Sequence, residues 1–150
     1  MRKILLIFLF LLAECGYQPI YENKNLVDIE FYKITLEGNE DINRKVIGSL
    51  SLNENKLNTA LNNLLIKSKF EIRETSKNSK GQVESYKSQI TLNLVITNKK
   101  KLIASKNFLK EFSYNTKNNK FDLVQYQNEI KNNLINEIVE DIILYMNIKE

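Results

Sequence analysis

The chain has 150 residues and a net charge of +4, with 22 lysines and arginines against 18 acidic residues, no histidine and a single cysteine. That length suits one domain with one core, and so small a charge excess does not argue for nucleic acid. Without histidine there is no His-based triad and no imidazole metal site, and one cysteine makes neither an internal disulfide nor a thiolate metal site.

Arg2 and Lys3 lead an unbroken apolar run from Ile4 to Ala13, followed by Glu14-Cys15-Gly16. A basic head and a short apolar core have the build of a secretory signal. The run is shorter than the roughly 20 residues that a membrane-spanning helix needs. Leu12-Ala13-Glu14-Cys15 resembles the lipobox of bacterial lipoproteins, in which the cysteine is lipidated and becomes the mature N-terminus. Glu14 departs from the small residue usual before that cysteine. The resemblance implies a signal peptide over 1–14, lipidation of Cys15, a tether over 15–26 and a single domain over 27–150. An ordinary signal peptide with an incidental cysteine, or an uncleaved anchor, stays open as an alternative.

Residues 17–26 show no period and hold the sole proline, Pro19. Val27, Ile29 and Phe31 alternate with Asp28 and Glu30, which predicts a strand over 27–36. The parity slips before Ile34 and Leu36, so either a bulge near Tyr32-Lys33 or a strand with both faces covered is expected. From Glu40 to Ser68 the apolar spacings are three to five, which predicts helix. Gly48 and the polar residues after it weaken the middle. Asn53 or Asn55 would then cap a second helix over about 56–67, the alternative being one helix with a soft centre.

Phe70 to Thr75, Tyr86 to Thr97 and Leu102 to Tyr114 read as three strands of an antiparallel meander. The turns between them are Asn78–Gly81 and Asn98-Lys99-Lys100-Lys101. A long amphipathic helix is expected over 121–147, with Tyr126, Ile130, Leu134, Ile138, Ile142 and Met146 in one row. Burying both helices against one face of the sheet gives an α+β two-layer sandwich in the order β-α-β-β-β-α, with four mostly antiparallel strands.

Cys15-Gly16-Tyr17-Gln18-Pro19-Ile20-Tyr21 resembles the start of alphaproteobacterial members of the LptE family. Ile34-Thr35-Leu36-Glu37-Gly38 and Phe112-Ser113-Tyr114-Asn115 look similar to its later segments, and the element order agrees over essentially the whole chain. The resemblance implies an outer-membrane lipoprotein, anchored on the periplasmic side, that pairs with the barrel LptD, helps it fold and binds lipopolysaccharide. It implies neither an enzyme nor a cofactor. A periplasm-facing lipoprotein that binds another ligand, or acts as a spacer without a barrel, is the alternative.

An anionic glycolipid calls for cations beside apolar surface. Lys106, Phe108, Lys110, Phe112 and Tyr114 share one phase of the last strand, and a buried lysine is costly. That phase is therefore expected to face lipid or a barrel wall, although the competing phase of Ile103, Ser105, Asn107, Leu109 and Glu111 is not clearly apolar either and leaves the inward phase open. Arg73 and Lys87 fall on the polar phase of the neighbouring strands. Arg73, Lys87, Lys106 and Lys110 are the expected lipopolysaccharide patch, the alternative being solvated residues that discourage edge pairing. Lys99-Lys100-Lys101 is a cationic turn, which serves solubility or touches anionic sugars or an acidic barrel loop.

Overall fold

The computed structural model describes residues 29–147. The expected signal, Cys15 and the tether lie outside them. Six strands and two helices follow in order: β1 (Glu30–Phe31), β2 (Lys33–Gly38), α1 (Glu40–Leu50), β3 (Asn53–Glu54), β4 (Asn63–Lys77), β5 (Val83–Asn98), β6 (Lys101–Asn115) and α2 (Lys120–Asn147). The main sheet runs β2-β4-β5-β6, and β1 and β3 form a two-residue parallel bridge beside it. The pairs β4–β5 and β5–β6 are antiparallel, whereas β2 lies parallel to β4. A parallel neighbour needs a crossover, and α1 provides it.

The two faces of the sheet follow from the alternation of each strand. Leu64, Ile66 and Ser68 of β4 lie beside Ile96, Leu94 and Leu92 of β5, and both helices cover this face. Ile130, Leu134, Ile135, Ile138 and Ile142 bury the expected stripe of α2 there, and Ile42, Val46 and Leu50 bury that of α1. Among the described residues, the buried members of this core run from Phe31 to Ile142. The opposite face, carrying Lys69, Glu71, Arg73, Lys87, Gln89, Thr91 and Asn93, stays open to solvent or a partner.

The parity slip has a physical origin. The first strand breaks at Tyr32, whose backbone N–H donates to Asn62 O (2.8 Å) instead of to a ladder. Phe31 on one side of the break and Ile34 on the other can then both reach the core. At the far end of β2, Gly38 has φ +85°, and a Cβ there would lie 1.9 Å from the Ser68 carbonyl oxygen. Asn39 caps α1 by accepting from the Ile42 N–H at 3.1 Å, and Glu40 and Asp41 suit its positive end. Buried Asn43 donates to Glu37 O (2.9 Å) and accepts from Ser68 Oγ (2.7 Å), locking the corner between strand and helix.

The second helix expected over 56–67 is absent, and so is its alternative of one helix through Ser68. Ser51, at φ 50°, ends α1 in the left-handed region, and Leu52 turns back into the core. Asn55 Oδ1 accepts from Leu57 N–H, and Asn58 Oδ1 accepts from Ala60 N–H, both at 3.2 Å. Such side-chain-to-backbone bonds compete with helix and hold turns. The chain then enters β4 at Asn63, where Leu64 and Ile66 are buried at a period of two. The helix-like spacing of Leu57, Leu61, Leu64 and Leu65 was coincidental: Leu57 is exposed and Leu64 belongs to a sheet.

Candidate functional site

The four expected cationic residues do not form one patch. Arg73 and Lys87 face each other across β4 and β5 on the open face. Lys106 and Lys110 lie opposite Leu94 and Ile90, on the face covered by the helices. The lysine-and-aromatic phase of β6 therefore points toward α2, contrary to the expectation that it faces outward. Phe108 and Tyr114 on that phase are buried, 4 % and 6 % exposed.

The burial cost of those lysines is avoided because β6 is an edge strand of the sheet. Its inner phase is only partly roofed by α2, and a lysine stem can lie on apolar surface with its ammonium at the rim. Lys110 Nζ reaches Asp141 Oδ2 at 3.0 Å and Glu137 Oε2 at 3.9 Å. Inward-pointing charge on an edge strand also blocks the addition of a further strand, the role given above as the alternative.

Charge on the open face is neutralised locally. Arg73 Nη2 pairs with Glu71 Oε2 at 2.6 Å, and Lys87 Nζ with Glu111 Oε1 at 2.8 Å. Hydrogen bonds from Lys69 and Arg73 hold the Glu71 carboxyl below the usual carboxylate range. This face mixes hydroxyls, amides and paired charges with the apolar side chains of Leu65, Val95 and Leu109.

Cation and apolar surface meet instead along the seam between β6 and α2. One cleft of about 420 Å³ is lined by Lys106, Phe108, Asp141, Leu144 and Tyr145, among others. Phe108 and Tyr145 close its floor edge-on, with ring centroids 6.0 Å apart. Leu144 stands at its rim, 58 % exposed. A second cleft of about 150 Å³ lies between Phe112, Tyr126, Ile130 and Leu134, rimmed by Glu129 and Glu137. The Lys110 ion pairs separate the two. Lys106 thus lines a mixed polar and apolar cleft, with the Asp141 carboxylate in the same lining.

The sequence reading missed a second surface. The loop of residues 55–62, expected as helix, projects Leu57 into solvent at 97 % exposure. Asn98 Nδ2 binds this loop through Ala60 O (3.3 Å) and Asn62 Oδ1 (2.9 Å), setting it beside the Lys99-Lys100 turn. The asparagines of the loop were the available signal, since they favour turns over helix interiors.

Among the described residues no group of three acidic, cysteine or histidine side chains could hold a metal ion. No described helix is long and apolar enough to cross a membrane.

The fold has counterparts of known structure. Rare lipoprotein B from Shewanella oneidensis superposes with a TM-score of 0.61 at 10 % identity, covering 78 % of this chain and 95 % of that one. The fold is one found in bacterial lipoproteins. A lipoprotein B from Nitrosomonas europaea gives 0.55 at 11 % identity, over 81 % of this chain and 85 % of that one. A minor lipoprotein from Acinetobacter baumannii gives 0.54 at 14 % identity, over 76 % and 89 %. At such identities the likeness is one of fold. No protein-family model matches the sequence, and no curated protein does.

Proposed function

We propose that this chain is a lipid-anchored, non-enzymatic lipoprotein of the outer membrane that pairs with an LptD-like barrel and binds lipopolysaccharide on its way to the outer leaflet. The observation that carries the reading is the two-layer fold shared with bacterial lipoproteins over most of both chains. The Cys15-Gly16-Tyr17-Gln18-Pro19-Ile20-Tyr21 start, with an apolar run before it, supports the anchor independently. The open sheet face, largely polar and with Arg73 and Lys87 paired to carboxylates, suits the aqueous lumen of a large barrel. The cleft of Lys106, Phe108, Leu144 and Tyr145 suits one phosphate with part of an acyl chain. Arg73 and Lys87 already have carboxylate partners, which fits barrel or sugar contacts better than phosphate capture.

Two measurements test the reading. Labelled palmitate is expected at Cys15 in the full chain and absent from Cys15→Ala. A pull-down from detergent-solubilised outer membrane is expected to bring down a large barrel protein, identified by mass. Palmitate without a barrel would favour the spacer or other-ligand lipoprotein, and no palmitate would remove the anchor. For the cleft, Lys106→Ala is expected to weaken lipopolysaccharide binding more than Arg73→Ala with Lys87→Ala. The reverse order would move the lipid site to the open face.

A further inference from the structure

One end of the sheet gathers features that the barrel and lipopolysaccharide reading does not use. The β5–β6 hairpin closes in two residues, Lys99 and Lys100, with φ 44° and 70°. Positive φ at both central positions marks a type I′ turn, which strongly prefers Asn-Gly because only such residues adopt it cheaply. Two lysines there are held against their own preference, and Lys101 adds a third. Among the described residues none of the three has an ion-pair partner, in contrast to Arg73, Lys87 and Lys110.

Apolar surface flanks these charges. Leu57, 97 % exposed, stands on the loop bonded to the hairpin through Asn98, and Leu102, 60 % exposed, begins β6. The first described residue, Ile29, lies at this end too. Tyr32 binds Asn62, Asn62 binds Asn98, and Asn53 N–H donates to Ile29 O at 3.1 Å, so Ile29 lies at the lysine end. From Cys15 to Ile29 the backbone can span at most about 50 Å.

From this placement we infer that the Lys99-Lys100-Lys101 end, with Leu57, docks on an anionic bilayer surface and stands the domain end-on to the membrane. The positive charge complements lipid phosphates, and each lysine near an anionic surface adds roughly a fivefold gain in partitioning. Leu57 inserts at the headgroup level beside them, as the apolar element of an interfacial contact. The inference rests on the lipoprotein reading only for which membrane is met, because the surface itself needs no acyl chain.

The test uses the chain from Gly16 onward, which keeps every core residue among those described and lacks Cys15. It is expected to float with vesicles of phosphatidylglycerol and phosphatidylcholine, to stay behind with pure phosphatidylcholine, and to detach in high salt. Replacing Lys99, Lys100 and Lys101 with Gln should lower partitioning on the order of 100-fold, and Leu57→Ser about tenfold. Circular dichroism checks that these exposed variants keep the fold. Equal flotation with both vesicle types, an unchanged Gln variant, or self-association without flotation would each overturn the inference. Palmitate labelling of the full chain reads the anchor separately, so either idea can fail alone.

Discussion

The two turns that close the long hairpins are built on opposite terms. At one end, Asn78 Oδ1 accepts from the N–H groups of Lys80 (2.9 Å) and Gln82 (3.0 Å), and Gly81 takes the positive φ of 79°. Each residue there does what its chemistry favours. At the other end, Lys99 and Lys100 occupy a backbone that asparagine and glycine would fill with less strain. The first turn is optimised for folding, and the second retains charge at the expense of stability. A residue held against its backbone preference points to a demand from outside the fold.

Substitutions can break or sharpen that contrast. The largest effect is expected away from both turns, at residues on which the two ends depend equally. Ile90→Ala, under α2, should lower unfolding free energy by about 3–4 kcal/mol, and hydrogen exchange should show both hairpins opening together. Opening of one alone would mean that the ends are independent. Gly38→Ala, forced against the Ser68 carbonyl, should lose about 3 kcal/mol by denaturant titration. Unchanged stability there would mean that β2 can move off β4.

The turns themselves should respond with opposite signs. Gly81→Ala meets no atom within 4 Å, so its loss is backbone strain alone, about 1 kcal/mol. Lys99→Asn with Lys100→Gly should instead gain about 1–2 kcal/mol and give up vesicle binding. A double variant that is no more stable would remove the strain from the comparison.

The paired charges should give the smallest effects. Arg73→Ala and Lys87→Ala should each move Tm by no more than about 2 °C. In acid the sign follows from the carboxylates. Glu71 is held low chiefly by its hydrogen bond from Lys69, Asp41 by Lys131, and Glu54 by the Ile34 N–H. Groups whose folded values are depressed contribute fully above the ordinary carboxylate range and lose that contribution as pH falls through their folded values. With no histidine, Tm should stay flat from pH 8 to about 5 and fall below about pH 4. A step between pH 6 and 7 would contradict this assignment.

Much of the fold was legible because its signals were local. The alternation of Tyr86 to Thr97, the i, i+4 row from Tyr126 to Met146, and the slip at Tyr32 each fixed an element without tertiary information. The segment 56–67 misled because Leu57, Leu61, Leu64 and Leu65 at helical spacing outweighed the asparagines among them, and only the pairing of β4 with both β2 and β5 decides between helix and strand. The expected patch failed for a related reason. Which phase of β6 is inward depends on its place at the sheet edge, where Lys106 and Lys110 escape burial past α2. No count of apolar residues along β6 reveals that it is an edge.

The parallel pairing of β2 with β4 also sets an order of events in time. The hairpins of β4, β5 and β6 close turns of two to five residues, which form quickly. β2 can pair only after α1 and the loop of residues 51–62 have brought β4 alongside. Of the pairings in the main sheet this one closes the longest loop, so on refolding from denaturant the corner at Gly38, Asn43 and Ser68 is expected to close after the two hairpins.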